Sequence, residues 1–110
     1  MKVGIIRCMQ TEDYCPGTTD FRMISEHEGV FESVGEDIEL IGFTNCGGCP
    51  GKKSVARVKE LVKRGADTIV FASCIQKGTP IGFPGPNAKQ MKNVIAKNIM
   101  DDITILNYTH

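Results

Sequence analysis

Five cysteines are the residues of this 110-residue chain whose chemistry is most informative. An odd number of cysteines, without a recognisable secretory signal, argues against a disulfide framework and favours metal binding or thiol redox chemistry. The densest group is the segment Cys46-Gly47-Gly48-Cys49, which we call the thiol turn. The remaining three cysteines are more widely spaced, at Cys8, Cys15 and Cys74.

The thiol turn has the spacing with which two thiolates reach one metal ion. The two glycines permit positive φ angles, and their N–H groups can point at a thiolate sulfur or at a bound anion. Cys49 falls at the expected start of a helix, where the helix dipole and the unpaired N–H groups favour a negatively charged sulfur. The turn is therefore expected to hold thiolate at neutral pH, either as a metal ligand or as a nucleophile.

The elements that position these cysteines alternate between strand and helix, a pattern typical of a parallel sheet with helices on both faces. Apolar runs predict strands over residues 2–8, 38–46, 68–74 and 103–108. Right-handed crossovers favour the strand order 2-1-3-4 of a flavodoxin-like or Rossmann-like fold. We therefore expect a single α/β domain over residues 1–110, a three-layer sandwich around a four-stranded parallel sheet.

Three helices are expected between these strands. Asp20 is predicted to cap the first helix, whose core-facing residues are Phe21, Ile24, Phe31 and Val34. The second is the clearest, because Pro50 suits its first position and Gly65 suits its C′ position. Its predicted apolar stripe consists of Val55, Val58, Leu61 and Val62. The third covers about residues 87–100, with the inward residues Met91, Val94, Ile95 and Ile99.

Three of the predicted strands end on a cysteine, at Cys8, Cys46 and Cys74. Because parallel strands end along one edge, where open α/β sheets bind ligands, these thiols are expected to meet Cys49 in one site. The strand order puts Cys8 between the other two, at a strand spacing of about 5 Å. Four sulfurs would complete a tetrahedral zinc shell or hold an iron–sulfur cluster. The alternative is that these residues are ordinary buried core cysteines.

Two further residues are reserve candidates for metal ligands. Cys15 follows Cys8 in a loop, so it is a fifth ligand, a resolving thiol or an ordinary loop cysteine. His110 reaches the same edge if the fourth strand is parallel. His27, on the first helix, is expected to be a packing or surface histidine rather than a ligand.

The same edge carries groups that suit a small anion. These are the glycines and lysines around the start of the second helix, Gly47, Gly48, Lys52 and Lys53. The phosphate-loop pattern G-x-x-x-x-G-K-[ST] is not met, so a nucleotide is disfavoured. The basic residues of the second helix, Arg57 among them, are expected to form a solvated face.

Composition narrows the range of partners. The chain has 13 basic and 13 acidic residues, so its net charge gives no argument for nucleic acid or an anionic membrane. No apolar run approaches the roughly 20 residues that a membrane-spanning helix needs, so a cytoplasmic location is expected. Exposed edge strands are compatible with a monomer or a homodimer.

The thiol turn, continued through Pro50-Gly51-Lys52-Lys53, resembles the signature of the CGGC-domain family of small prokaryotic proteins. Similar segments are Ile5-Ile6-Arg7-Cys8, Cys15-Pro16-Gly17-Thr18-Thr19-Asp20-Phe21, Ala72-Ser73-Cys74-Ile75 and Gly82-Phe83-Pro84. The resemblance covers essentially the whole chain and implies a zinc-binding site rich in cysteine and histidine, with no reaction attached. Family members often carry a cysteine and a histidine where this chain has Gly85 and Asn87. A family site that uses those positions therefore has fewer ligands here, or no longer binds metal.

Three hypotheses follow from these residues. The first is a metal-binding domain that holds zinc, or alternatively an iron–sulfur cluster, in the cysteine cluster. The second is a thiol redox or thiol-transfer enzyme, in which Cys46 or Cys49 attacks and its partner or Cys15 resolves the product. The third is a binding module for a small anionic ligand. The sequence leaves open whether the protein is an enzyme.

Overall fold

The structure, a computed structural model, describes residues 1–9, 16–47, 52–73, 93, 95–97, 102–106 and 108–109. Its strands are β1 (Lys2–Arg7), β2 (Glu39–Asn45), β3 (Thr68–Phe71) and β4 (Thr104–Leu106). Its helices are α1 (Thr18–Glu26), the 3-10 helix Gly29–Phe31 and α2 (Lys52–Lys63). None of the helices within these ranges combines the length and the apolar character that a bilayer crossing requires.

In the described part of the chain the sheet has four parallel strands in the order β2-β1-β3-β4. This arrangement confirms the predicted α/β fold and its strand order. Every residue of the central strand β3 is buried, as expected for a strand covered on both faces. In the edge strand β2, a shift in pairing between Leu40 and Gly42 inserts Ile41 as an extra residue and forms a bulge.

The helix α2 packs closely on one face of the sheet because two strands present glycines to it. A methyl group at Gly4 would come within 2.8 Å of Leu61 Cδ1, and one at Gly42 would overlap the same side chain. The predicted apolar stripe of this helix is confirmed, because its members are buried or packed against the core: Val55, Val58, Leu61 and Val62.

The end of α2 also follows the prediction. Gly65 has a φ angle of 111°, and its N–H donates to Val62 O at 3.0 Å. The N–H of Ala66 donates to Leu61 O at 3.1 Å. These are the two hydrogen bonds of a Schellman motif with glycine at C′, and they direct the chain into β3.

The start of α1 differs from the prediction. The helix begins at Thr18 and its N-cap is Gly17, so Asp20 lies in the first turn and is not the capping residue. The physical reason is that the Asp20 carboxyl group faces inward, where Thr109 Oγ1 donates to Asp20 Oδ1 at 2.5 Å. A residue bonded in this way does not cap the N–H groups of its own helix.

The end of α1 differs as well. The helix stops at Glu26 because His27 takes a left-handed φ angle of 52°, so Phe31 reaches the core from the 3-10 helix. The prediction that Phe21 faces the core is wrong, since 39% of it is exposed. Its ring packs across Phe43, with 5.0 Å between ring centroids. Phe43 leaves the sheet on the face opposite α2, so α1 covers that second face.

The strands stop just before the residues of chemical interest. β1 ends at Arg7 and β2 ends at Asn45, so Cys8 and Cys46 are each the first residue beyond a strand. The strand β3 ends at Phe71, and Cys74 lies outside the described residues. Most of the helix predicted over 87–100 also lies outside them, although residues 93 and 95–97 are helical and Ile95 is buried.

Candidate thiol site at the carboxyl edge

Cys8 and Cys46 lie side by side at the carboxyl ends of β1 and β2. The parallel register pairs Arg7 with Asn45, and Cys46 N–H donates to Arg7 O at 2.8 Å. This hydrogen bond belongs to the last pair of the ladder, and Cys8 and Cys46 each follow that pair directly. Paired positions on neighbouring strands are separated by about 5 Å, so the backbones of the two cysteines begin close together, as the strand order predicts.

Both thiols are buried at this edge of the sheet. Cys8 is 6% exposed and Cys46 is 4% exposed, and no disulfide joins them.

The described half of the thiol turn is fixed by an interaction with its preceding residue. Gly47 N–H donates to Asn45 Oδ1 at 2.8 Å, across the two-residue spacing of an Asx-turn. Gly47 has a φ angle of 77°, as the double glycine predicts. A methyl group there would lie 2.7 Å from Lys53 Cβ, so the side chain of this exposed lysine covers the turn. Only glycine fits this backbone and this contact without strain.

Arg57 of α2 is hydrogen-bonded to Asn45, the last residue of β2. Its Nη1 donates to Asn45 O at 2.9 Å and to Asn45 Oδ1 at 2.6 Å. The expectation that Arg57 belongs to a solvated face is therefore wrong, because its guanidinium is partly buried and bonded to the strand. The signal that could have revealed half of this arrangement is the Asn-x-Gly spacing ahead of the second cysteine.

Arg7 adds a buried positive charge to the same edge. Its guanidinium carbon lies 5.2 Å from the centroid of the Phe43 ring, within the range of a cation–π interaction. Phe43 in turn contacts Phe21 of α1, so this charge lies on the face of the sheet that α1 covers.

A second cluster at the carboxyl edge, which sequence reasoning missed, consists of Asp20, Ser73 and Thr109. We call it the Thr109 junction. Besides its bond to Asp20, Thr109 accepts from Ser73 N–H at 3.3 Å and donates its own N–H to Ser73 Oγ at 3.2 Å. Its carbonyl accepts from Val30 N–H at 3.1 Å. All three members are buried, and they join α1, the end of β3 and the end of the chain.

Several candidate site residues lie outside the described residues. They are Cys15, Gly48, Cys49, Cys74 and His110. Of the remaining histidines and lysines, His27 bonds to Val34 O at 3.0 Å through Nδ1, and Lys52 begins α2. Within the part of the chain that the structure describes, no three His, Cys, Asp or Glu side chains are grouped to hold a metal ion.

The fold and this edge define a class of protein. It is a parallel α/β domain in which two neighbouring strand ends lead into the buried residues Cys8 and Cys46, with α2 packed on one face of the sheet. The comparison with known families agrees with this description. The pattern of the CGGC domain matches residues 2–110, and the chain belongs to the CGGC domain family, as the resemblance predicted.

A curated relative supports the same assignment. An uncharacterized protein of Methanocaldococcus jannaschii is 45% identical over 112 residues. The match covers 96% of this chain and 81% of that protein. No solved structure matches the chain significantly.

Proposed function

We propose that this protein binds a metal ion, with zinc as the first candidate, through cysteine thiolates at the carboxyl edge of its sheet. The observation that carries the proposal is the adjacency of Cys8 and Cys46, two buried thiols on neighbouring strand ends. Thiolates are preferred ligands of zinc, and a low-coordinate shell of sulfur selects it over hard cations.

The spacing of the two strand ends supports such a shell. Tetrahedral zinc with Zn–S bonds of about 2.3 Å needs sulfurs about 3.7 Å apart. Paired positions on neighbouring strands lie about 5 Å apart, and Cys8 and Cys46 each follow the last such pair. The choice of χ1 rotamer then sets how closely their two sulfurs approach.

The remaining ligands in this proposal are Cys49 of the thiol turn and Cys74, which follows β3 by three residues in the sequence. Cys15 and His110 are the reserve ligands. These four assignments rest on the sequence, because the four residues lie outside the described ones. Where other family members carry a cysteine and a histidine, Gly85 and Asn87 offer no thiolate or imidazole, so the four cysteines would have to suffice.

Burial favours the ligand role over thiol exchange for the two described cysteines. An attacking thiolate must meet a disulfide or an electrophile in line, which requires access to its sulfur. Cys46, at 4% exposure, lacks that access, whereas a metal ion bound beside it would itself be buried. In the redox alternative the nucleophile would therefore have to be Cys49.

Metal analysis tests the proposal directly. Protein purified without chelator under reducing conditions is expected to contain about one zinc per chain. Less than about 0.2 zinc per chain, with the four candidate thiols all titrating freely, would contradict the proposal (a one-site stoichiometry sets this threshold). One cysteine alkylated far faster than the others at pH 6 would favour the redox alternative.

An iron–sulfur cluster could use the same cysteines, and anaerobic purification distinguishes the two cofactors. A colourless protein that contains zinc is the expected result. A coloured protein that contains iron and sulfide would replace zinc by a cluster while leaving the ligand set in place.

A further inference from the structure

The residue that precedes the thiol turn is bonded more heavily than a strand terminus requires. Asn45 Oδ1 accepts both from Gly47 N–H at 2.8 Å and from Arg57 Nη1 at 2.6 Å. The same Nη1 donates to the Asn45 carbonyl at 2.9 Å. Three hydrogen bonds therefore converge on one residue, and two of them come from a guanidinium nitrogen.

These bonds enclose Cys46. Its own N–H donates to Arg7 O, the residue before it is held by Arg57, and the residue after it is held by Asn45 Oδ1. The backbone torsions on both sides of Cys46 are thereby restricted. The side chain of Lys53 lies against Gly47. The direction in which the Cys46 thiol leaves the backbone is consequently determined before any ligand arrives.

We propose that Asn45 and Arg57 are positioning residues that orient the Cys46 end of the thiol turn for metal binding. This inference rests on the proposed function, and it names two residues that do not themselves contact the metal. Removing a group that orients a metal ligand without touching the metal typically lowers metal affinity by about 10- to 100-fold. Hydrogen bonds from a charged guanidinium are stronger than neutral ones, which suits Arg57 to this role.

The test compares three variants with a matched control. Asn45→Ala removes the acceptor of two bonds, and Arg57→Ala removes the donor of two. Asn45→Asp keeps an oxygen that accepts from both Gly47 and Arg57. Arg64→Ala is the control, because Arg64 directly follows α2 and, among the described residues, its side chain bonds only to the exposed Glu60 side chain, at 2.9 Å.

Zinc affinity, measured by competition with a chromogenic chelator, is expected to fall about 10- to 100-fold in Asn45→Ala and in Arg57→Ala. Asn45→Asp and Arg64→Ala are expected to stay within about threefold of the parent protein. The spectrum of the Co²⁺-loaded protein should change in the first two variants and persist in the other two, since it reports the thiolate geometry. If the variants lose stability but keep their zinc affinity and Co²⁺ spectrum, Asn45 and Arg57 serve only to connect α2 with β2. That result would overturn the inference.

A second readout does not depend on metal. In the metal-free protein, exchange of the Gly47 amide hydrogen is expected to accelerate about tenfold or more in Asn45→Ala, and alkylation of Cys46 is expected to accelerate with it. Asn45→Asp should retain the parent rates. If the parent protein binds no zinc, the proposed function fails. The exchange and alkylation rates still test whether Asn45 and Arg57 position Cys46. Unchanged rates in Asn45→Ala would contradict the positioning role whether or not zinc binds.

Discussion

The two clusters at the carboxyl edge of this sheet bury polar groups in different ways. At the Thr109 junction, hydroxyl, carboxyl and backbone groups bond to one another within one buried cluster. At the thiol side, the buried groups are the sulfurs of Cys8 and Cys46, and the strong hydrogen bonds go to the backbone around them. The first cluster uses its bonds to join elements, whereas the bonds of the second hold the backbone next to two buried thiols.

Because of this difference, we expect one cluster at this edge to contribute to stability and the other to metal binding. Leaving a buried hydroxyl or carboxyl group without its hydrogen-bond partner lowers the free energy of unfolding, so the Thr109 junction should matter for stability. A thiol hydrogen-bonds weakly and releases its proton to solvent when its sulfur binds a metal ion, so the thiol side should matter for binding. Substitutions at the two clusters are therefore expected to have separable effects.

The largest expected effect is on metal affinity. Cys46→Ala or Cys8→Ala removes one of about four thiolates, which should lower zinc affinity by about a hundredfold or more (structural zinc sites bind with about 10–16 kcal/mol in total). Chelator competition measures the loss. Asp20→Asn, at the other cluster, should leave zinc affinity unchanged. Equal zinc affinity in the cysteine variants and the parent would contradict the claim that these two thiols bind the metal.

The next largest effect is a loss of stability at Gly29, whose backbone packs against Thr109. Gly29 has a φ angle of 57°, and a methyl group there would overlap the carbonyl oxygen of Thr109. Gly29→Ala should therefore lower the free energy of unfolding by about 3 kcal/mol. Gly35→Ala is the control, since a methyl group at Gly35 meets no atom within 4 Å. Denaturant titration that finds the two alanine variants equally stable would contradict this account of Gly29.

A smaller loss is expected from the hydroxyl group at the centre of the junction. Thr109→Val keeps the shape but deprives the Asp20 carboxyl of its donor and Ser73 N–H of its acceptor. The expected destabilisation is about 2 kcal/mol. Thr109→Ser retains the hydroxyl and should lose less. Zinc affinity should be the same in both variants, and a marked change in it would mean that the two clusters are coupled.

The smallest effect lies at the opposite, amino edge of the sheet. The pKa of Asp67 is lowered, chiefly because the Thr68 hydroxyl donates to its carboxylate, with a further hydrogen bond from the Lys2 N–H. A lowered pKa in the folded state stabilises the protein above the unfolded value of about 3.9, and this stabilisation disappears as the pH falls through the folded value.

Asp67 is exposed, so its contribution should stay below about 1 kcal/mol. Unfolding measurements on the parent protein and on Asp67→Asn should differ slightly at pH 7, and the difference should shrink toward pH 3. A difference that grows as the pH falls would have the wrong sign for this account.

The sheet could be predicted because it depends on local patterns. Apolar runs mark the strands, and the right-handed crossover rule then determines their order, so the neighbourhood of Cys8 and Cys46 follows from chain position alone. Gly65 was equally predictable, because the end of a helix is signalled within a few residues.

The Thr109 junction could not be predicted, because its bonds join residues that are far apart in the chain. Asp20 looks like an N-cap in sequence, but it bonds a hydroxyl 89 positions away, and that contact overrides the local preference. The pairing of Asn45 with Arg57 shows the same limit. The Asn-x-Gly spacing is visible in the sequence, whereas the choice of Arg57 among the basic residues of α2 depends on how this helix crosses β2.

X-ray absorption at the zinc edge tests the central claim most directly, because it reports the atoms bound to the metal. The account predicts a first shell dominated by sulfur at about 2.3 Å in the zinc-loaded protein, with fewer sulfurs in Cys46→Ala. A shell of nitrogen and oxygen alone at about 2.0–2.2 Å, unchanged by that substitution, would contradict a thiolate centre at the carboxyl edge.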